Sequence, residues 1–263
     1  MMPVYDKPMV YYPLATLMEA GIREVLIISG PRDLPGFQSI FGDGSDFGMR
    51  IAYAEQAQPN GLAEAFIIAE DFLAGSRSIL ILGDNLFYGA SFTDCLRKAV
   101  ATEEGAYIFG YQVANPSDYG VVEFDQNGKV LSLEEKPAVP KSDYAVPGVY
   151  CYDEAVVAYA KNLAPSARGE LEITDLNRVY LEKGQLQVAT FGRGNAWLDT
   201  GNPEAMLEAA HFVQTMLNRT NLMIGCIEEI AYVNGWIDGA RLLELGNRYP
   251  QTRYCQYLLE LLF

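Results

Sequence analysis

Two aspartates, far apart in the chain, each follow a short apolar run. Leu80-Ile81-Leu82 leads into Gly83-Asp84-Asn85, and Ala196-Trp197-Leu198 leads into Asp199-Thr200-Gly201. In open α/β sheets, ligands sit beyond the carboxyl ends of the strands, where both side chains are expected. Mg²⁺ takes one or two carboxylates and fills its other positions with water and substrate phosphate, so a pair of this kind suits it. Taken alone, each residue also reads as a cap, Asp84 of the next turn and Asp199 of a helix begun by Pro203.

Leu133-Glu134-Glu135-Lys136-Pro137 sets a carboxylate and an ammonium side by side at a strand end. Glu135 can accept hydrogen bonds from hydroxyls and Lys136 can meet a phosphate as a point charge. The plainer reading is a solvated ion pair. Gln56 precedes Pro59-Asn60-Gly61, where a glycine opens a helix. An amide carries both donor and acceptor and can read a base edge, although an ordinary turn has the same composition. Gly42, Gly44 and Gly48 do not fit G-x-G-x-x-G, and no Walker-type loop is present. His211, the one histidine, lies mid-helix without a nucleophile partner and reads as structural. The four cysteines show no C-x-x-C or zinc spacing and read as small buried hydrophobes.

These side chains need a scaffold, and the hydrophobic pattern supplies one. An apolar helix from Met9 to Met18 stops at Gly21 and feeds a strand at Glu24 to Ile28. Helices are expected at Leu34 to Phe41 and Leu62 to Leu73, and strands at Arg50 to Ala54 and Ser78 to Leu82. Alternation of this kind means a parallel sheet with covered faces. From Ala106 to Tyr150 the pattern turns to hairpins, with Asp125-Gln126-Asn127-Gly128 as a tight turn. Asp153 caps a helix to about Leu163, Thr174 lies in another ending near Gly184, and Leu186 to Phe191 is a strand. Beyond Pro203 helical runs dominate: Glu204 to Leu217, Glu228 to Val233 and Thr252 to Leu262.

The expected organisation is an α/β domain over 1–220 with a helical region, 221–263, packed on it. With 19 basic and 34 acidic residues the net charge is −15, which opposes general nucleic-acid binding. No 18-residue apolar run and no signal-peptide pattern is present, so a cytoplasmic protein without a membrane partner is expected.

In order, YDKPMVYYPL, EQAQPNGLAEA, LGDN, YGVVEF, LEEKP, VPGVYCYD, RGELEITDLN and GNAWLDTG resemble the glucose-1-phosphate thymidylyltransferase family of sugar nucleotidyltransferases. The resemblance implies a Rossmann-like mixed sheet with covering helices and a helical C-terminal region. It also implies a reaction of the dTDP-rhamnose pathway, in which glucose 1-phosphate attacks the α-phosphorus of dTTP and gives dTDP-glucose and pyrophosphate with Mg²⁺. By the matching motifs, Asp84 and Asp199 would hold the metal, and Gln56 with the Gly61 backbone would hold thymine. Asn85, Gly120, Glu135 and Val146 would line the sugar, Lys136 would meet its phosphate, and Arg168 is a further phosphate contact. A cytoplasmic homotetramer is the family's usual form.

The family's sequences open with an apolar strand, the loop G-G-x-G-T-R-L-x-P and a lysine, and this sequence starts beyond them. Without those donors, each worth about 3–4 kcal/mol to a developing oxyanion, turnover is expected to be slow or absent. Strands at Val25 and Ile79 would lose a shared neighbour, so they would close up, or something else would fill the gap, or the fold would be marginal. The competing reading is a non-catalytic regulatory homologue that binds a sugar nucleotide through Gln56, Gly120 and Glu135.

Overall fold

The computed structural model describes residues 2–263. A hairpin of β1 (Pro3–Val4) and β2 (Lys7–Pro8) leads into α1 (Tyr11–Glu19), buried from Tyr12 to Met18. A helix apolar on all sides must be enclosed on all sides. Next come β3 (Glu24–Ser29), α2 (Leu34–Phe41) and β4 (Arg50–Glu55), with β3 and β4 paired in parallel from Glu24↔Arg50 to Ser29↔Glu55. The single helix expected over 62–73 is two, α3 (Glu64–Ile68) and α4 (Glu70–Leu73). They meet at Ala69, whose ψ of 1° departs from the helical value and breaks the run.

The large sheet begins with β5 (Ser78–Ile81), and β6 (Asn85–Tyr88) follows it in the chain. Helix α5 (Ala90–Ala101) was absent from the sequence expectation, although Phe92, Leu96 and Ala99 give it a buried stripe. Then follow β7 (Ala106–Gln112), β8 (Gly120–Phe124), β9 (Val130–Glu135), β10 (Tyr144–Ala145) and β11 (Val149–Tyr152). Helices α6 (Val156–Lys161) and α7 (Ile173–Glu182) precede β12 (Leu186–Thr190) and β13 (Ala196–Asp199). The seven-stranded sheet runs β5-β11-β7-β10-β8-β9, and β12 joins β7 in parallel. The expected turn between β8 and β9 forms: the Asp125 amide donates to the Lys129 carbonyl, and Gly128 takes φ +80°. Ile108 and Phe109, neighbours on β7, point to opposite faces, so Ile108 packs with Leu176 and Tyr180 while Phe109 packs with Phe92 and Leu96.

Helix α8 (Pro203–Thr220) is capped by the Asn202 side chain, which accepts from the Ala205 amide. It is followed by α9 (Ile227–Val233), α10 (Gly239–Gly246) and α11 (Arg253–Glu260). Ile227 and Ala231 of α9 close the enclosure around Leu14, Ala15 and Met18, and Asp46 pairs with Arg241 and Arg248. His211 lies on the exposed side of α8 and takes no part in the core. Cys151, Cys226 and Cys255 are buried, while Cys95 is only partly so.

The parallel sheet expected from the alternation is split. Among the described residues β3 pairs with β4 alone and β5 pairs with β11 alone, leaving a slot of about 1300 Å³ lined by both strands. The two strands have not closed up.

Candidate functional site

Asp84 and Asn85 sit where β5 passes into β6. The buried Asn85 carboxamide is a clamp: its Oδ1 accepts from the Gly148 amide (3.0 Å) and from Trp197 Nε1 (2.6 Å). Its Nδ2 donates to Asp84 Oδ1 at 2.8 Å. Asn85 was expected to line a sugar; its Oδ1 ties Gly148 to Trp197, and its Nδ2 gives one hydrogen bond, to Asp84. Strand β13 pairs antiparallel with β6 so that Asp199 lies opposite Asn85. The Thr200 amide and hydroxyl both donate to the Asp84 carbonyl, at 2.9 and 2.7 Å. The next residue, Gly201, donates its amide to Asp199 Oδ1 at 3.0 Å.

Gly201 shows how closely the carboxylates approach each other. A Cβ there would stand 3.1 Å from Asp199 Oδ1 and 3.6 Å from Asp84 Oδ2. The two side chains thus border the same small space beside Gly201. Burial, then the charge of Asp84, push the Asp199 pKa above its usual range, while the Gly201 amide and Lys136 pull it back. A divalent cation would relieve this repulsion, and the all-oxygen donor pair fits a hard cation such as Mg²⁺. Among the described residues no cluster of three metal-ligating side chains occurs, so any ion here would keep water or substrate in its other positions.

Glu135 ends β9 and Lys136 follows it. Thr174 Oγ1, from the first turn of α7, donates to Glu135 Oε2 at 2.6 Å. Gly120, the cross-strand partner of Glu135, leaves room for this: its missing Cβ would lie 3.2 Å from Glu135 Oε2 and 3.4 Å from Thr174 Oγ1. The Val146 amide donates to the Gly120 carbonyl at 2.8 Å, which brings Val146 to the same spot. Tyr150 is buried between Glu135 and Asp84, and burial first, then both carboxylates, raise its pKa. Lys136 is exposed, holds φ +43° and makes no ion pair among the described residues. Its amide, donating to the Tyr119 carbonyl at 3.0 Å, anchors that left-handed turn.

Gln56 directly follows β4, and its Nε2 donates to the Gly61 carbonyl (3.1 Å) and to Glu64 Oε2 (2.7 Å). Gly61, at φ +105°, would place a Cβ 2.4 Å from the Leu171 carbonyl oxygen, so only glycine fits. That contact and the Leu171 amide bond to the Asn60 carbonyl dock this loop beside the start of α7, which carries Thr174. Arg168 departs from expectation. Its guanidinium pairs with both Glu172 oxygens at 2.9 Å, an exposed ion pair four residues apart. Thr174, Tyr150, Thr200 and Gly201 were not singled out from sequence. Only Gly201, in Asp-Thr-Gly, carries a local signal.

Residues 1–216 match the profile of the nucleotidyl transferase family. The chain belongs to that family. Across 262 residues, all of this chain and 91% of the relative, the nucleotidyltransferase is 56% identical to the glucose-1-phosphate thymidylyltransferase of Neisseria meningitidis serogroup A. It is 51% identical to the enzyme of that name from Mycobacterium tuberculosis, again over 262 residues and 91% of the relative. Among solved structures, a Bacillus anthracis chain described as a glucose-1-phosphate thymidylyltransferase in complex with a sucrose aligns with TM-score 0.74 at 37% identity. It covers 80% of this chain and 84% of that one. A UDP-glucose pyrophosphorylase bound to UDP-glucose, 22% identical with TM-score 0.70 over 82% of this chain and 89% of that one, shares the fold.

Proposed function

We propose that this nucleotidyltransferase transfers a thymidylyl group from dTTP to glucose 1-phosphate in a Mg²⁺-dependent reaction. The observation that carries the proposal is that Asp84 and Asp199 border one small space beside Gly201. A phosphate oxygen of glucose 1-phosphate bonds to the α-phosphorus while the bond from that phosphorus to the oxygen bridging the α- and β-phosphates breaks, giving dTDP-glucose and pyrophosphate. Such chemistry rests on in-line positioning and on neutralising phosphate charge. Magnesium, held by Asp84 and Asp199, would supply charge neutralisation when bound. Lys136 meets the sugar phosphate. Glu135, oriented by Thr174, accepts from a sugar hydroxyl beside Gly120 and Val146, and Gln56 with the Gly61 backbone reads the thymine edge.

Turnover by these 263 residues is slow in this reading. Beside the carboxylate pair the described residues place Lys136, and a pyrophosphate leaving group calls for more donors than that. The cytoplasmic, homotetrameric setting implied by the sequence resemblance belongs to the same proposal. Among the described residues no helix is long and apolar enough to cross a membrane.

Pyrophosphate release from dTTP and glucose 1-phosphate, measured with Mg²⁺ and with chelator, tests the reading. Release should require Mg²⁺ and fall at least 100-fold in Asp199→Asn and in Asp84→Asn. Variants as active as the parent chain, or full release in chelator, would overturn it. Tight dTDP-glucose binding without any release under either condition would instead support a regulatory homologue.

A further inference from the structure

One side chain ties the two carboxylate-bearing segments together through the main chain. Strand β13 pairs with β6 as far as Asp199 opposite Asn85. Just beyond, where the strands end, the Asp84 carbonyl oxygen accepts from the Thr200 amide at 2.9 Å and from the Thr200 hydroxyl at 2.7 Å. One residue thereby engages both lone pairs of that oxygen. Thr200 is only 3% exposed, so the double contact is shielded from water.

The hydroxyl serves no local turn or cap. Threonine hydroxyls commonly bond main-chain groups two to four residues away, whereas this one reaches across 116 residues. Capping of α8 falls to Asn202, whose side chain accepts from the Ala205 amide. On the other side, Asp84 sits in a turn closed by the Asn85 amide on the Leu82 carbonyl at 3.3 Å, a long bond that restrains the turn weakly. The Asp84 carbonyl is therefore held chiefly from across the chain, by Thr200.

Position decides what this hold can do. Thr200 lies between Asp199, whose Oδ1 accepts from the Gly201 amide, and Gly201 itself, beside which both carboxylates stand. The Asp84 carbonyl carbon is bonded to the Cα that carries the other carboxylate. From one carboxylate to the other the path is thus a few covalent bonds and one bifurcated hydrogen bond. A single donor would let the two chains swivel about it, and the second fixes the direction of the carbonyl. Given the reading of Asp84 and Asp199 as ligands of one divalent cation, on which this assignment rests, we propose that the Thr200 hydroxyl is a positioning group that sets the span between the two carboxylates. It acts through the Asp84 main chain, not on substrate. Partners one shell out from a metal's ligands are worth about 10–100-fold in metal affinity.

The probe is Mn²⁺, a cation that carboxylates also hold, titrated into the full chain and followed as free ion by electron paramagnetic resonance. The site in question is the binding that Asp199→Asn removes. Thr200→Val keeps the amide bond and the branched shape but lacks the hydroxyl, and should weaken this site at least roughly tenfold while circular dichroism shows a folded chain. Thr200→Ala, which cannot crowd its neighbours, should do the same. Thr200→Ser restores the hydroxyl and should bind Mn²⁺ as the parent does, even where the lost methyl lowers the urea midpoint. Parental affinity in Thr200→Val and Thr200→Ala, beside a loss in Asp199→Asn, would overturn the proposal and leave the cation reading standing. Equal weakening in Thr200→Ser would overturn it as well, since the effect would then belong to packing of the methyl. Parental binding in Asp199→Asn would overturn the cation reading and this assignment with it.

Discussion

Replacing Gly201 by alanine separates function from folding at the proposed metal pair. The new methyl would lie 3.1 Å from Asp199 Oδ1, inside ordinary contact distance, and 3.6 Å from Asp84 Oδ2, where contact is tolerable. Asp199 must retreat by a few tenths of an ångström, and the methyl enters the small space that both carboxylates border. Gly201 is not among the residues with positive φ, so alanine fits the backbone and should leave stability unchanged or raise it by about 0.4–1 kcal/mol. A misplacement of about 1 Å among reacting groups costs about 100-fold in rate, so a retreat of a few tenths of an ångström should cost roughly tenfold, or about 1.4 kcal/mol of barrier. Pyrophosphate release should thus fall by about that factor in Gly201→Ala and demand more Mg²⁺, with the urea midpoint kept. Full activity with the parent Mg²⁺ dependence would refute the placement of a shared cation between Asp84 and Asp199. An activity loss matched by an equal loss of folded protein would refute it too.

Gly61→Ala should destabilise by about 3 kcal/mol in urea denaturation, because it combines a left-handed backbone with a carbonyl oxygen 2.4 Å from the new Cβ. Retention of parental stability would mean that the loop is not held against Leu171. Asn85→Ala removes the acceptor shared by the Gly148 amide and Trp197 Nε1, and each orphaned donor costs about 1–3 kcal/mol. Tryptophan fluorescence should report a lowered unfolding midpoint, and an unchanged one would contradict the clamp. Glu228 is held above the usual glutamate range by burial, with Tyr254 and Lys7 pulling it partly back. The folded state therefore binds this proton more tightly than the unfolded chain. Its contribution is complete below the ordinary pKa of 4.5 and is lost as pH rises through the raised folded value. Glu228→Gln should flatten that part of the fall, seen as a gap between the two stability curves that widens upward in pH, and parallel curves would refute the assignment.

Much of this architecture is legible locally. The turn at Asp125–Gly128 needs a left-handed glycine, and the sequence provides Gly128. The alternation of aliphatic runs with ten-residue amphipathic stretches places β3, α2, β4 and β5, since each depends on the period of its own side chains. Helix α5 was overlooked because its apolar stripe of Phe92, Leu96 and Ala99 is thin among Ser91, Asp94, Arg97 and Lys98. Roles that depend on a partner far along the chain were legible only as expectations. Asn85 turned inward, where its oxygen accepts from both Trp197 and Gly148, and Arg168 turned to Glu172, four residues on and oppositely charged.

From the chain itself come the element types, the acidic balance and the two aspartates at the ends of apolar runs, because propensity, periodicity and charge are properties of neighbouring residues. Tertiary structure alone decided that Asp84 and Asp199 border one small space beside Gly201 and that Thr174 holds Glu135. Each depends on the register and stacking of strands distant in sequence, where a shift of one residue would turn every side chain to the opposite face.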